Sequence, residues 1–147
     1  MEHATDHFRK LEKMYLGAPI NKIVYTGIEI TISDQKAVIQ LGVDSKLHHA
    51  AHAIHGSVYF KLLDDAAFFA VNSVVPDVFV YTVSFNIQLL RPVSSGIIIS
   101  TGELKFKSNN LFIADSTLLD ENKKLLGKGS GSFMRSKIHL TENIGYK

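Results

Sequence analysis

Two adjacent aspartates, Asp64 and Asp65, stand in the middle of an apolar run, and four of the chain's seven histidines stand just ahead of it: "HHAAHAIHGSVYFKLLDDAAFFAVNS", residues 48–73. A carboxylate inside an apolar helix costs several kcal/mol unless it is paired, hydrated or protonated. One reading has Asp65 facing water while Asp64 caps or bridges another group. The other has Asp64 looking into a cleft as a base or nucleophile with a tuned pKa. Adjacent helical residues lie about 100° apart, so the two need not share an environment. At "HGS", the free amides of the first helical turn have no intrahelical partner and their dipole favours negative charge. A carbonyl oxygen placed there would gain oxyanion stabilisation, and Gly56 has no side chain to block the approach.

Histidines 48, 49, 52 and 55 offer spacings of three and four, which zinc could use with Asp64 or Asp65 completing the shell. The pattern is not H-E-x-x-H, and the intervening alanines carry no general base. Scaffolding histidines at a loop–helix junction are the favoured reading, with no metal and no cofactor. "GKGSGS" (residues 127–132) lacks phosphate-loop spacing and sits in a strand pattern. Its glycines 127, 129 and 131 face one side of that strand and invite close approach of another element or a ligand.

From Ser57 to Asp64 is seven residues, about 10 Å along a helix axis and about 700° around it, so the two share a face. A reacting carbonyl must lie within roughly 3 Å of both its oxyanion donors and its attacking group. One helix cannot easily supply both, but two antiparallel copies can. If both parts are catalytic, the spacing predicts at least a dimer with composite sites.

The elements that must position these residues can be read in order. Phe8, Leu11, Tyr15 and Leu16 recur at helical spacing, giving a short helix over residues 5–16 that ends at Gly17 and Pro19. "KIVYTGIEITI" and "KAVIQLGV", separated by "SDQ", predict a β-hairpin, and "SKLHHAAHAIHGS" a loop. Residues 56–74 read as a helix apolar around most of its circumference, hence buried nearly all round, and Pro76 stops it. "VFVYTVSFNIQLL", "GIIISTGELKFK", "LFIADSTLLD" and "LLGKGSGSFMRSKI" are four further strands joined by turn chemistry. The last ten residues are polar and expected to fray. The whole is α+β: an antiparallel sheet of about six strands, one long central helix, and a short N-terminal helix as lid or brace.

A chain of 147 residues fits a single domain, residues 1–147, and its composition of 46% hydrophobic and 20% charged residues is that of an ordinary globular protein. Without cysteine there is no disulfide, no thiolate-bound zinc and no cysteine nucleophile. A net charge of +2 with scattered lysines argues against a nucleic-acid partner. The first residues are too polar for a signal peptide, and no apolar run approaches the roughly 18 residues of a membrane span. No membrane association and a cytoplasmic location are the expectation.

"HGSVYFKLLDDAAFFAVNS" followed by "TVSFNIQLLRPV" resembles the hotdog-fold acyl-CoA thioesterases of the phenylacetic-acid-pathway (PaaI-like) type, over roughly residues 20–135. The resemblance implies an acyl-CoA or related acyl-thioester substrate. Gly56 would polarise the thioester carbonyl through its amide. Asp64, supplied by the opposite subunit, would act as nucleophile or as base on water, Thr82 would help hold that water, and His55 would orient the site. It also implies a homodimer formed edge to edge, often pairing into a homotetramer. His49, Ser57, Asn86 and Asp65 are substrate-binding candidates. Three of them differ from the family pattern, with Ser57 at its second glycine, His49 at a frequent Asn and Asp65 at a commonly uncharged position. A non-catalytic acyl-thioester or lipid-binding module is the alternative; a hotdog dehydratase would need a catalytic His–acid pair that "HGS…DD" does not supply.

Overall fold

The computed structural model describes residues 2–147. Helix α1 (Glu2–Gly17) begins at Glu2 rather than Thr5 and buries Leu11, Met14 and Tyr15, while Leu16 stays exposed. Pro19 does more than terminate α1. At the first position of α2 (Pro19–Ile23) its missing N–H costs nothing and its fixed φ suits a helix. The strand expected from Lys22 therefore starts later, after a turn at Gly27 with φ of 82°. Strands β1 (Glu29–Ser33) and β2 (Lys36–Gly42) form the expected hairpin around Asp34 and Gln35, with Gln35 left-handed at φ 62°. A loop with one 3₁₀ turn at Ser45–Leu47 and a His48–Ile54 bridge leads into α3 (Gly56–Asn72).

After α3 come β3 (Val78–Leu89), β4 (Ile97–Lys107), β5 (Leu111–Asp120) and β6 (Leu125–His139), nearly residue for residue as the pattern predicts. The six strands form one antiparallel sheet in the order β1-β2-β4-β5-β6-β3, wrapped over α3. Leu62, Leu63, Ala66, Ala67, Ala70 and Val71 of α3 are completely buried. At the helix end the Asn72 amide donates to the carbonyls of Val75 and Val78 and its oxygen accepts from the Val80 N–H, fixing where β3 starts.

The alanines of α3 are small because β4 presses directly on them. A Cβ at Gly102 would overlap the Ala66 carbonyl, which is backbone and cannot swing aside. Gly102→Ala should therefore cost about 1–3 kcal/mol or more, read from urea unfolding. The glycine row of β6 is likewise a site of close approach, as expected. The Phe85 ring lies across Gly129 and Gly131, and Tyr59 and Leu63 lie against Gly127.

The two sheet edges differ. Along β1 the helix α1 covers the edge: Ile32 N–H donates to Glu12 Oε2 at 2.7 Å, and Arg9 donates to the Ile32 carbonyl at 2.7 Å. Along β3, which pairs only with β6, the sequence "VFVYTVSFNIQL" carries no charge, and Tyr81, Val83 and Leu89 are exposed. The β3–β6 register shifts between Thr82 and Ser84, leaving Val83 as an extra residue. A strand alternates faces every residue, so Thr82 and Phe85 would normally oppose each other. The bulge puts both on the α3 side.

The expected fraying of the last ten residues is not what the structure has. Leu140 donates its N–H to the Asp77 carbonyl, a 3₁₀ turn follows at Glu142–Ile144, and Leu140, Ile144 and Tyr146 pack against the core. Three apolar residues among polar ones suffice to dock the segment, because each buries its surface against the core instead of against a neighbour in sequence.

Candidate active site

The sheet covers α3 except along one stripe. There Ser57 and Phe60 are exposed and Lys61, Asp64 and Asp65 are half-buried, so burial nearly all round holds apart from this line. The two aspartates occupy different environments. Asp64 Oδ1 accepts the Thr82 hydroxyl at 2.8 Å, with Thr82 brought onto this face by the bulge. Oδ2 has no protein partner among the described residues. Burial pushes the Asp64 carboxyl up to about 6, with the charge of Asp65 acting the same way; the Thr82 hydrogen bond and the Lys61 ammonium oppose the rise.

Asp65 is held from two sides. Lys61 reaches it at 2.6 Å along the same helix, and the Tyr15 hydroxyl of α1 donates to it at 2.7 Å. Burial raises its pKa while Lys61 and Tyr15 pull it back. The Lys61 ammonium also lies over the rings of Tyr15 and Tyr25, 5.0 and 5.1 Å from their centroids. This carboxylate anchors α1 onto α3. Lys61→Met should cost about 3 kcal/mol in urea unfolding, the lower end for a buried pair broken on one side. Lys61→Met with Asp65→Leu should recover most of that loss, because no charge is then left unpaired.

Asp64, Asp65 and Thr82 open on a cleft of about 710 Å³, otherwise walled mainly by apolar groups such as Met14, Phe68, Phe69 and Phe79. The other candidates gather at the opposite end of α3. His55 caps the helix, its Nδ1 accepting the Ser57 N–H at 3.0 Å and lying 2.8 Å from the Ser57 hydroxyl. The Gly56 amide, at the first helical position, donates to no group among the described residues. His49 is exposed in the preceding loop, where its Nδ1 accepts the Ala51 N–H. Gly56 and Asp64 are eight residues apart, about 12 Å along the axis, so one protomer does not bring its two halves together. Asn86 faces the outer side of the sheet, on the polar row with Ser130 and Asp115, away from the Asp64 cleft.

Among the described residues no three His, Asp or Glu side chains converge as metal ligands. His48 is instead bonded to the Ser94 carbonyl. Sequence reasoning missed the partners of Asp65. The Lys61–Asp65 spacing of four residues on a helix was a usable signal. The contact with Tyr15 crosses fifty positions and left none.

Comparison with known proteins agrees with this layout. The model of the thioesterase superfamily matches residues 51–126. A 1,4-dihydroxy-2-naphthoyl-CoA hydrolase of Listeria monocytogenes serotype 1/2a (strain 10403S) is 32% identical over 102 residues, 68% of this chain and 83% of that protein. Among solved structures, the E. coli PaaI protein from the phenylacetic acid degradation operon superimposes with a TM-score of 0.83 at 20% identity, covering 94% of this chain and 99% of that one. A Haemophilus influenzae thioesterase gives a TM-score of 0.75 at 19% identity, covering 86% and 88%. At such identities the structures speak for the hotdog fold alone, and the family match carries the activity. A six-stranded sheet wrapped on α3, a cleft at a half-buried aspartate and a family match over the segment that contains α3, Asp64 and Thr82 identify the chain as a member of the thioesterase superfamily, a thioester hydrolase with the hotdog fold.

Proposed function

We propose that this single domain hydrolyses an acyl-CoA to the free acid and CoA at a site shared by two protomers. The observation that carries the reading is the Asp64–Thr82 pair, with one carboxylate oxygen fixed and the other open to an apolar cleft. Such a carboxylate can take a proton from water as it attacks the thioester carbonyl, or attack that carbon itself. The carbonyl oxygen would rest against the Gly56 amide of the second protomer, with His55 holding the start of that helix and Ser57 and His49 bordering the entry. Asp65 serves the site by anchoring α1 beside it. The uncharged free edge of β3 supports pairing between copies, since monomeric proteins blunt such an edge with charge, proline or a covering element, as α1 does for β1. Antiparallel pairing there would lay the helices side by side. A tetramer would require a further contact.

A thiol-release assay over aliphatic and aromatic acyl-CoAs tests the activity. Turnover should rise with pH through about 6 and level off above it, because Asp64 must be ionised to act. Thr82→Val removes the hydrogen bond that favours the charged form, so its acidic limb should move to higher pH and its plateau should fall. A second reading, an acyl-thioester-binding module without turnover, draws on Ser57. Its hydroxyl stands at the helix start, 2.8 Å from His55 Nδ1, in space that a second glycine would leave open to the carbonyl. Tight acyl-CoA binding with no thiol release over hours would favour that reading.

A further inference from the structure

Two segments near the ends of the described chain contribute to the wall of the Asp64 cleft. On one side stands the elbow between α1 and α2, with Ala18, Pro19 and Ile20; on the other stand Ile138 and the turn Glu142–Gly145. The two sides are tied together behind the wall. His7 of α1 is 7% exposed; its Nε2 donates to the Asn72 carbonyl at 2.9 Å, and its Nδ1 accepts the Tyr146 hydroxyl at 2.7 Å. The carbonyl accepts only, so Nε2 carries a proton, and burial, which lowers the His7 pKa, favours the neutral ring whose Nδ1 accepts. Gly145, left-handed at φ 93°, brings the turn onto the Met14 backbone, and the Lys10 ammonium lies 5.4 Å from the centre of the Tyr146 ring. Ile144 is thereby pinned in the wall.

We infer that acyl-group selectivity resides in this clasp: the α1–α2 elbow and the Glu142–Gly145 turn meet the distal end of the acyl group, and the chamber they close takes a large apolar acyl group, medium-chain or aromatic, in preference to acetyl. The inference rests on reading the Asp64 cleft as the reaction site. About 710 Å³ lies within the range of pockets that enclose drug-sized ligands. A short acyl group would leave most of the apolar wall wet. Each further methylene buried there is worth about fourfold in kcat/KM until the chain reaches the wall. Beyond that length the gain stops, because His7, Tyr146 and Asn72 hold the wall in place.

Ile144→Trp tests this twice, since the chain has no other tryptophan. Filling the wall should lower the decanoyl-CoA to acetyl-CoA ratio of kcat/KM by tenfold or more. The indole emission should shift to the blue with a non-hydrolysable decanoyl-CoA thioether and stay put with CoA alone. Ile144→Ala, which widens the wall, should move the preferred chain length upward, and Tyr146→Phe, which removes the hydrogen bond to His7, should flatten discrimination several-fold. Variants that melt as wild type yet keep its acyl profile, with an unmoved emission, would overturn the inference, and would do so even if Asp64→Asn abolished turnover. An emission shift in a protein that releases no thiol would instead defeat the proposed reaction while upholding the chamber.

Discussion

Asp64→Asn should lower kcat by about 10²–10⁴-fold while leaving a folded protein, the range expected when a positioned proton acceptor is removed. Asparagine keeps the shape and can still accept the Thr82 hydroxyl, so the loss isolates the charge. Stability should move the other way. The folded carboxyl, at about 6, stands above its ordinary 3.8, so folding takes up a proton between those values. The stability contributed by this group is therefore full below about pH 4 and lost as pH rises through about 6. At pH 8 the Asn variant should melt at or above the wild-type temperature in a circular dichroism scan. Wild-type turnover in a protein lacking this carboxylate would remove Asp64 from the mechanism.

Gly56→Pro is expected to cost about 10²–10³-fold in kcat, the penalty for deleting one oxyanion donor. The substitution is structurally mild. Gly56 is the first residue of α3, where proline is favoured, and His55 before it is extended at φ −63° and ψ 147°, as a residue preceding proline must be. A Cβ there would meet only the tip of Leu89, at 3.4 Å. What disappears is the N–H. The two variants together test whether a site spans two chains. In a two-fold dimer the mixed species of Asp64→Asn and Gly56→Pro subunits has one site with both defects and one with neither. Random mixing should then restore about a quarter of wild-type activity from two inactive stocks. If each chain acts alone, mixing restores nothing.

Much of this layout was legible because the strands and α3 obey local rules. β-branched runs bounded by turn residues gave four strands nearly to the residue, and the apolar circumference of residues 56–74 gave a core helix. Seven residues between Ser57 and Asp64 were enough to show that the helix start and the carboxylate lie too far apart to share one carbonyl within a chain. What escaped depends on contacts distant in sequence. Lys22–Gly27 is rich in strand formers, yet Pro19 starts a helix that claims part of it and Gly27 turns the chain. Asn86 sits in the motif strand, but its face is set by a register shift that no residue type announces. The final residues read as polar because what docks them is distant in sequence: Tyr146 meets His7, Gly145 lies on Met14, and Leu140 bonds Asp77.

The extra residue at Val83 also decides what kind of change β3 can survive. Deleting it would reverse the parity of everything downstream: Phe85, Ile87 and Leu89 would swing to the outer surface, and Ser84, Asn86 and Gln88 would be driven into the greasy interior. Within one protomer, swapping one side chain for another at this position touches only an exposed group. The strand can thus be respelled with some freedom, but it cannot be shortened by a single letter.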